Sequence, residues 1–389
     1  MRVGSLALHW RAIARRTFTT TTTSRVHLVV LVHGLHGEAA DLDLLHHSFA
    51  AAAAAQPGGD ARLHVLASTA AGDQSDGIDA AGTRVAKEIE AACDALGSRG
   101  RLSVVAHSNG GLVSRFAMGE LEPRGVLNRW RPCLFLTLAS PHLGVFPFGL
   151  WTPALALRVA QLPYFARAGR QLALLDAESD SEPLLVSLAE PGSRYMRALS
   201  RFERRVTFAN LTNEVLVPHE SAAIVGALDA PKAHCRARGN VVARLLLRET
   251  AATPRPRRLP KAVDGIDSLE GQLAASPTWR ERMVCGLRSA GDWERVDVDF
   301  GVGALGWAHW LIAGHSLPLP VGDALDVRAA GEATAQRGAR LRARKALADR
   351  LAWLVRALGR TEELRDVADL VTEMVMSMVA SRPLDSELL

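Results

Sequence analysis

Apolar residues along this chain fall into two rhythms. Short unbroken runs, rich in β-branched side chains, are bounded by turn residues. Between them lie longer stretches whose apolar positions repeat at helical spacing. The first run, "VHLVVLV" (26–32), reads as a strand buried on both faces. "ARLHVLA" (61–67), "RLSVVA" (101–106), "CLFLTLA" (133–139), "RRVTFANL" (204–211) and "WERVDVDF" (293–300) read as further strands. Helices are predicted over 41–55, 80–96 and about 108–119. Strands alternating with helices build βαβ units. The pattern therefore predicts an α/β fold, a mostly parallel central sheet with helices on both faces.

Three regions depart from that rhythm. Residues 143–200 are apolar and proline-punctuated, and they open with "LGVFPFGLWTPALAL" (143–157). That stretch is too short to span a bilayer and carries Pro147 and Pro153. Residues 229–275 are basic and loop-rich ("ATPRPRRLPK") and read as an exposed insertion. From 322 to 389 the chain is rich in Ala, Leu and Arg at helical spacing, a C-terminal helical segment.

Composition changes this picture little, but charge does. The chain has 389 residues, 48% hydrophobic and 22% charged, enough for a sizeable core. Its four cysteines show no CxxC or Cys/His ligand spacing, so neither a zinc site nor a disulfide framework is indicated. The net charge of +5 resides in residues 1–25, which hold Arg2, Arg11, Arg15, Arg16 and Arg25 and no acidic residue. Without them Lys+Arg falls from 46 to 41, equal to the 41 Asp+Glu. A neutral body removes the main argument for nucleic-acid binding. The leader itself, Arg-rich, Ser/Thr-rich and acid-free, reads as an organellar transit peptide, mitochondrial or plastid, or as a disordered extension.

Candidate chemistry sits at "LSVVAHSNGGLVSRF" (102–116). An apolar strand ends at Ala106, Ser108 occupies the turn, and Gly110 and Gly111 open a helix. A sharp strand-to-helix turn exposes a serine hydroxyl above the sheet and needs small neighbours two positions away. Ser108 is thus a candidate nucleophile, the bland alternative being an ordinary βα turn. "AGHSLPLP" (313–320) is a decoy, because Pro318 stands where Ser316 would need a small residue and no helix follows. "VHGLHG" (32–37) turns on Gly34 and Gly37 after a strand. Backbone amides of Leu35 there, and of Asn109 after the serine, are candidate oxyanion donors. His33 and His36 read as loop packing. Asp76 and Asp79, at a helix entrance, read as N-caps. His142 reads as a pocket wall or a structural turn.

These segments together resemble a family, the serine esterases of the α/β-hydrolase superfamily related to fungal and plant lipase-like proteins. The resemblance rests on "VVLVHGLHG", "SDGIDAAGTRVAKEI", "LSVVAHSNGGLVSRFA", "FLTLASPHLG", "GRQLALLDAESDSEPLL", "NLTNEVLVPHESA" and "WERVDVDF…AHWLI", in order over 26 to about 312. It implies a Ser-acid-His triad with Ser108 as nucleophile. The family has Asn-Asp ahead of a Val-Pro; here Asn213-Glu214 precedes Val217-Pro218, so Glu214 takes the acid's place, with Glu220 as the alternative. Ala308-His309 followed by Ile312 fits the family's base, with His315 as the alternative. No metal or cofactor is implied.

The expected organisation is a leader (1–25), an α/β-hydrolase domain (26–321) with a lid or cap (143–200) and a basic insertion (229–275), and a helical tail (322–389). Ligands bind beyond the carboxyl ends of parallel strands. The apolar stretch at 143–168 would then form a lid or acyl-chain wall, or else a packing segment. The expectation is a hydrolase of lipid carboxylic esters, acylglycerol or (lyso)phospholipid, with peripheral lipid-surface contact. A non-catalytic scaffold binding lipid or protein, and a serine acyltransferase, are the competing readings.

Overall fold

A computed structural model describes residues 26–54, 62–145, 166–178, 181–212, 214, 216–226, 241–247, 269–300, 308–313 and 369–376. Among these residues seven strands form one sheet: β1 (Val26–Val32), β2 (Arg62–Ala67), β3 (Gly100–His107), β4 (Trp130–Leu138), β5 (Arg204–Asn210), β6 (Val241–Leu247) and β7 (Trp293–Val298). Their order is β2-β1-β3-β4-β5-β7-β6. All neighbours are parallel except β6, which pairs antiparallel with β7 at one edge.

Alternation along each strand splits the core in two. Leu28, Val30 and Val32 of β1 face one layer with Leu102, Val104 and Ala106 of β3. Val29 and Leu31 face the other with Val105, Leu134, Leu136 and Leu138. The first layer is covered by helices α1 (Ile78–Leu96), α2 (Gly110–Leu121) and α3 (Leu269–Ser289). Leu45 and Phe49 of the helix Asp43–Ala54, with Val371, Met374 and Val375, cover the second. Burial on both faces is why these strands read as continuous apolar runs. The expected α/β-hydrolase architecture is the one found.

Strand order also places the site. The chain leaves β1 toward β2 on one side and returns to β3 on the other. Loops after β1 and β3 therefore diverge at a topological switch point, where open α/β sheets bind ligands.

Several expectations are corrected. The segment 229–275 is not wholly a loop-rich insertion: 241–247 form strand β6, and α3 begins at Leu269. The apolar run "VVARLLL" is long enough for an edge strand once β7 offers a hydrogen-bonding partner. The cap expected over 143–200 does not extend to its end. Leu185, Leu188, Met196 and Leu199 lie in the main core, and Tyr195 packs where Gly119 leaves room on α2. Asp76 and Asp79 are not N-caps. Gly77, at φ +120°, occupies that position on α1 without a side-chain cap. Asp76 pairs with Arg84, and Asp79 accepts from Arg167 and Gln171. The orphan amide of Ile78 is satisfied by Gln171 Oε1 at 2.7 Å, from 93 positions away. The leader, most of the apolar stretch (146–165), His315, Ser316 and nearly all of the C-terminal segment lie outside the described residues. Among the described residues no helix is long and apolar enough to cross a membrane.

Candidate active site

Ser108 occupies the turn between β3 and α2 with φ +54°. A non-glycine residue there stores on the order of 1–3 kcal/mol of strain, which the surrounding structure must hold. The restraint is visible: Ser108 N–H donates to the Leu138 carbonyl at 2.9 Å, and its own carbonyl accepts from Gly111 N–H at 3.1 Å. The glycines are steric necessities. A Cβ on Gly110 would lie 2.3 Å from the His33 carbonyl oxygen, and one on Gly111 2.2 Å from Ser140 Oγ.

Three loops converge on this serine. His309, from the short helix Ala308–Leu311 beyond β7, sets Nε2 2.8 Å from Ser108 Oγ. Its Nδ1 lies 3.1 Å from Glu214 Oε2. The His309 and Glu214 side chains are each only 4% exposed. With the carboxylate ionised, Nδ1–H donates to Glu214 and Nε2 accepts from the serine hydroxyl, a tautomer assigned from these partners. Glu214 also accepts from Asn210 Nδ2 at 2.8 Å, and from the amides of Leu216 at 2.9 Å and Val217 at 3.0 Å. Burial alone would raise the Glu214 carboxyl. The charge and hydrogen bond of His309, with donors from Val217 and Asn210, outweigh it and hold the group below the usual carboxylate range. Glu220, the alternative acid, is exposed on the helix His219–Ala222.

The β1 loop closes over the other side of the serine. A Cβ on Gly34 would fall 2.9 Å from Ser108 Cβ, so only glycine permits this approach. In the turns here, the amides of His36 and Gly37 bond the carbonyls of Asp73 and Gly34. None of these turn and loop bonds draws on the amides of Leu35 or Asn109. His33 is buried, with Nδ1 2.9 Å from the Gly34 oxygen. His142 is fully buried, with Nε2 2.9 Å from Thr137 Oγ1.

Three supporting residues went unforeseen. His107 donates from Nε2 to the His309 carbonyl at 2.7 Å, with the two rings 4.8 Å apart. Its place beside Ser108 was the available signal. Asn210 ends β5 and orients Glu214. Gln74 is fully buried at φ +61° and bridges His33 and Asn109. Nothing local in the sequence marks it.

Comparison with known proteins follows this geometry. Residues 22–227, just over half of the chain, match the family described as "Putative serine esterase". A putative lipase of Schizosaccharomyces pombe is 34% identical over 128 residues, 32% of this chain and 16% of that protein. A putative lipase of Saccharomyces cerevisiae is 30% identical over 213 residues, 53% of this chain and 30% of that protein. The matched stretch spans less than a third of these relatives. Among solved structures, a pyrethroid hydrolase from Sphingobium faniae JZ-2 shares 16% identity over 50% of this chain and 81% of that one, at a TM-score of 0.27. So loose a superposition adds nothing to the topology already described.

Proposed function

This chain belongs to the putative serine esterase family, and from that premise we propose that it hydrolyses carboxylic esters of lipids, acylglycerol or (lyso)phospholipid, through Ser108, His309 and Glu214. One observation carries the reading: Ser108 Oγ, His309 and Glu214 form a continuous hydrogen-bonded chain although they are 201 and 95 positions apart. A turn serine with a packing role has no need of a buried histidine–carboxylate pair.

In this mechanism His309 Nε2 takes the proton from Ser108 as Oγ attacks the ester carbonyl. The amides of Leu35 and Asn109 receive the oxyanion. Glu214 holds the imidazole in its Nδ1–H tautomer and stabilises the imidazolium. His309 then protonates the departing alcohol. Water, activated by the same nitrogen, releases the acyl group and restores Ser108. Four donors on Glu214 keep it ionised throughout, which this role demands.

Support for a lipid substrate comes from two sides: the relatives described as putative lipases, and the apolar stretch beginning at Leu143, just beyond β4 at the carboxyl end of the sheet. The acid-free, arginine-rich residues 1–25 support delivery to a mitochondrion or plastid, which a fluorescent fusion of that leader would test.

A fluorophosphonate probe tests the chemistry. Wild-type protein is expected to label, and Ser108→Ala and His309→Ala are not. Release of fatty acid from acylglycerol and lysophospholipid vesicles then tests the substrate. A folded wild type that does not label would replace this reading with a non-catalytic scaffold. Acyl transfer to an added alcohol in preference to water would replace it with an acyltransferase.

A further inference from the structure

Arg115 lies one turn along α2 from Gly111 and is 2% exposed. Nη1 donates to the His142 carbonyl at 3.3 Å. Nε and Nη2 have no hydrogen-bond partner among the described residues. In a guanidinium those two nitrogens share one edge, the edge that grips carboxylates and other anions bidentately. One end of Arg115 therefore holds the loop after β4, and the anion-gripping edge is left over.

Among the described residues no carboxylate bonds to Arg115. Burial alone pushes the Arg115 pKa down to about 9. The adjacent His142 is driven well below its ordinary value, by burial and then by Arg115, so it stays neutral. The next stretch of chain, 146–165, contains no Asp or Glu. A buried, unpaired cation is among the most unfavourable features a fold can retain.

Other orphaned polar atoms gather at the same place. Gly111 and Arg115, four residues apart, share a face of α2. A Cβ on Gly111 would touch Ser140 Oγ, which sets that hydroxyl against the same face. Ser140 Oγ and His142 Nδ1 are both buried and without a hydrogen-bond partner among the described residues. Unmet polar atoms of three side chains thus lie on α2 and on the loop that Arg115 Nη1 holds.

We propose that the junction of α2 with the loop Ser140–Gly144 is a buried site for a small monovalent anion of the chloride class, gripped by Nε and Nη2 of Arg115 and by the Ser140 hydroxyl. So deep a guanidinium selects a small, weakly hydrated ion over a phosphate ester or an acyl carboxylate. The bound ion ties the helix that follows Ser108 to the loop that leads into the apolar stretch. This site is independent of the hydrolase reading and stands or falls without it.

Crystals of the full chain soaked in bromide give the direct test. An anomalous peak is expected within hydrogen-bonding reach of Nε and Nη2. In solution, sodium gluconate is replaced by sodium chloride at constant ionic strength, gluconate being too bulky to enter. The melting temperature of the wild type should rise saturably by about 3 °C or more. Arg115→Met should lose that rise, and Ser140→Ala should need several-fold more chloride to reach it. No bromide at the guanidinium edge, whether water or a main-chain carbonyl occupies it instead, overturns the proposal. A chloride response equal in wild type and Arg115→Met overturns it as well. If Arg115→Met does not fold, the bromide map and Ser140→Ala decide.

Discussion

Gln74 and Asn109 are joined side chain to side chain, Oε1 accepting from Nδ2 at 2.9 Å, while Gln74 Nε2 donates to the His33 carbonyl at 2.7 Å. One buried carboxamide therefore ties the loop after β1 to the turn after Ser108, the two elements that hold the proposed oxyanion donors. Gln74→Ala is expected to lower kcat about 10- to 100-fold with KM little changed, because the donors act on the transition state and tolerate little displacement. Affinity for a boronic acid, which forms a tetrahedral adduct on serine, should fall in parallel. A lower melting temperature with both kinetic values intact would reduce Gln74 to a structural residue.

Glu214 makes a separable prediction. Glu214→Gln preserves shape but loses the charge that fixes the His309 tautomer, so kcat should fall about a thousandfold to ten-thousandfold. Glu214→Asp keeps the charge and withdraws it by one methylene. It should retain more activity than Glu214→Gln, with a loss of about 10- to 100-fold. Steady-state hydrolysis of a soluble ester at one pH ranks the two variants. A smaller loss in Glu214→Gln than in Glu214→Asp would mean that position, and not charge, is what Glu214 supplies.

Gly34 tests the closeness of the β1 loop. A methyl group there would meet Ser108 Cβ at 2.9 Å and Oγ at 3.3 Å. Gly34→Ala should displace the nucleophile or the loop and slow fluorophosphonate labelling at least tenfold. Stability should also fall, by about 1–3 kcal/mol, because the methyl enters packed space beside Ser108. Labelling at the wild-type rate would show that the loop can move aside freely.

His27 governs acid stability. It is fully buried at the start of β1, with Nε2 2.8 Å from Ser103 Oγ. Burial, and then the charge of Arg101, lower its pKa from 6.5 to about 3. The folded state thus binds this proton less readily than the unfolded chain. Its contribution is fully present above pH 6.5 and is lost as pH falls toward 3. Between pH 7 and pH 4.5 the loss is on the order of 2–3 kcal/mol. Glu214, held below its ordinary value, loses stability in the same direction at lower pH. Urea unfolding at pH 7 and pH 4.5 measures the sum, and His27→Gln, which cannot titrate, should show a smaller drop than the wild type.

Much of this was legible in the chain. Six of the seven strands were readable, most plainly β1 and β4, whose apolar runs are nearly unbroken because both faces are covered. The seventh, Val241–Leu247, sits among basic and proline-rich residues, and only its antiparallel pairing with β7 makes it a strand. Ser108 was readable because the elbow needs its strand, turn glycines and helix within a dozen positions. Pairing of Ser108 with His309 is not a local property. It depends on where the chain re-enters after β7, and only the folded arrangement sets Nε2 against the serine.

The same division accounts for the errors. Asp76 and Asp79 carry the local chemistry of caps, but Arg84, Arg167 and Gln171 reach them first, two of those from about 90 positions away. Gln74 and Arg115 carry no local signal for their roles, since those depend on partners distant in sequence or on unmet hydrogen bonds. Sequence alone determined the layers, the strand-rich core and the nucleophile turn, because backbone period and steric demand act over a few residues. Tertiary structure decided which side chains meet, because hydrogen bonds and charge burial depend on distances that only the closed sheet creates.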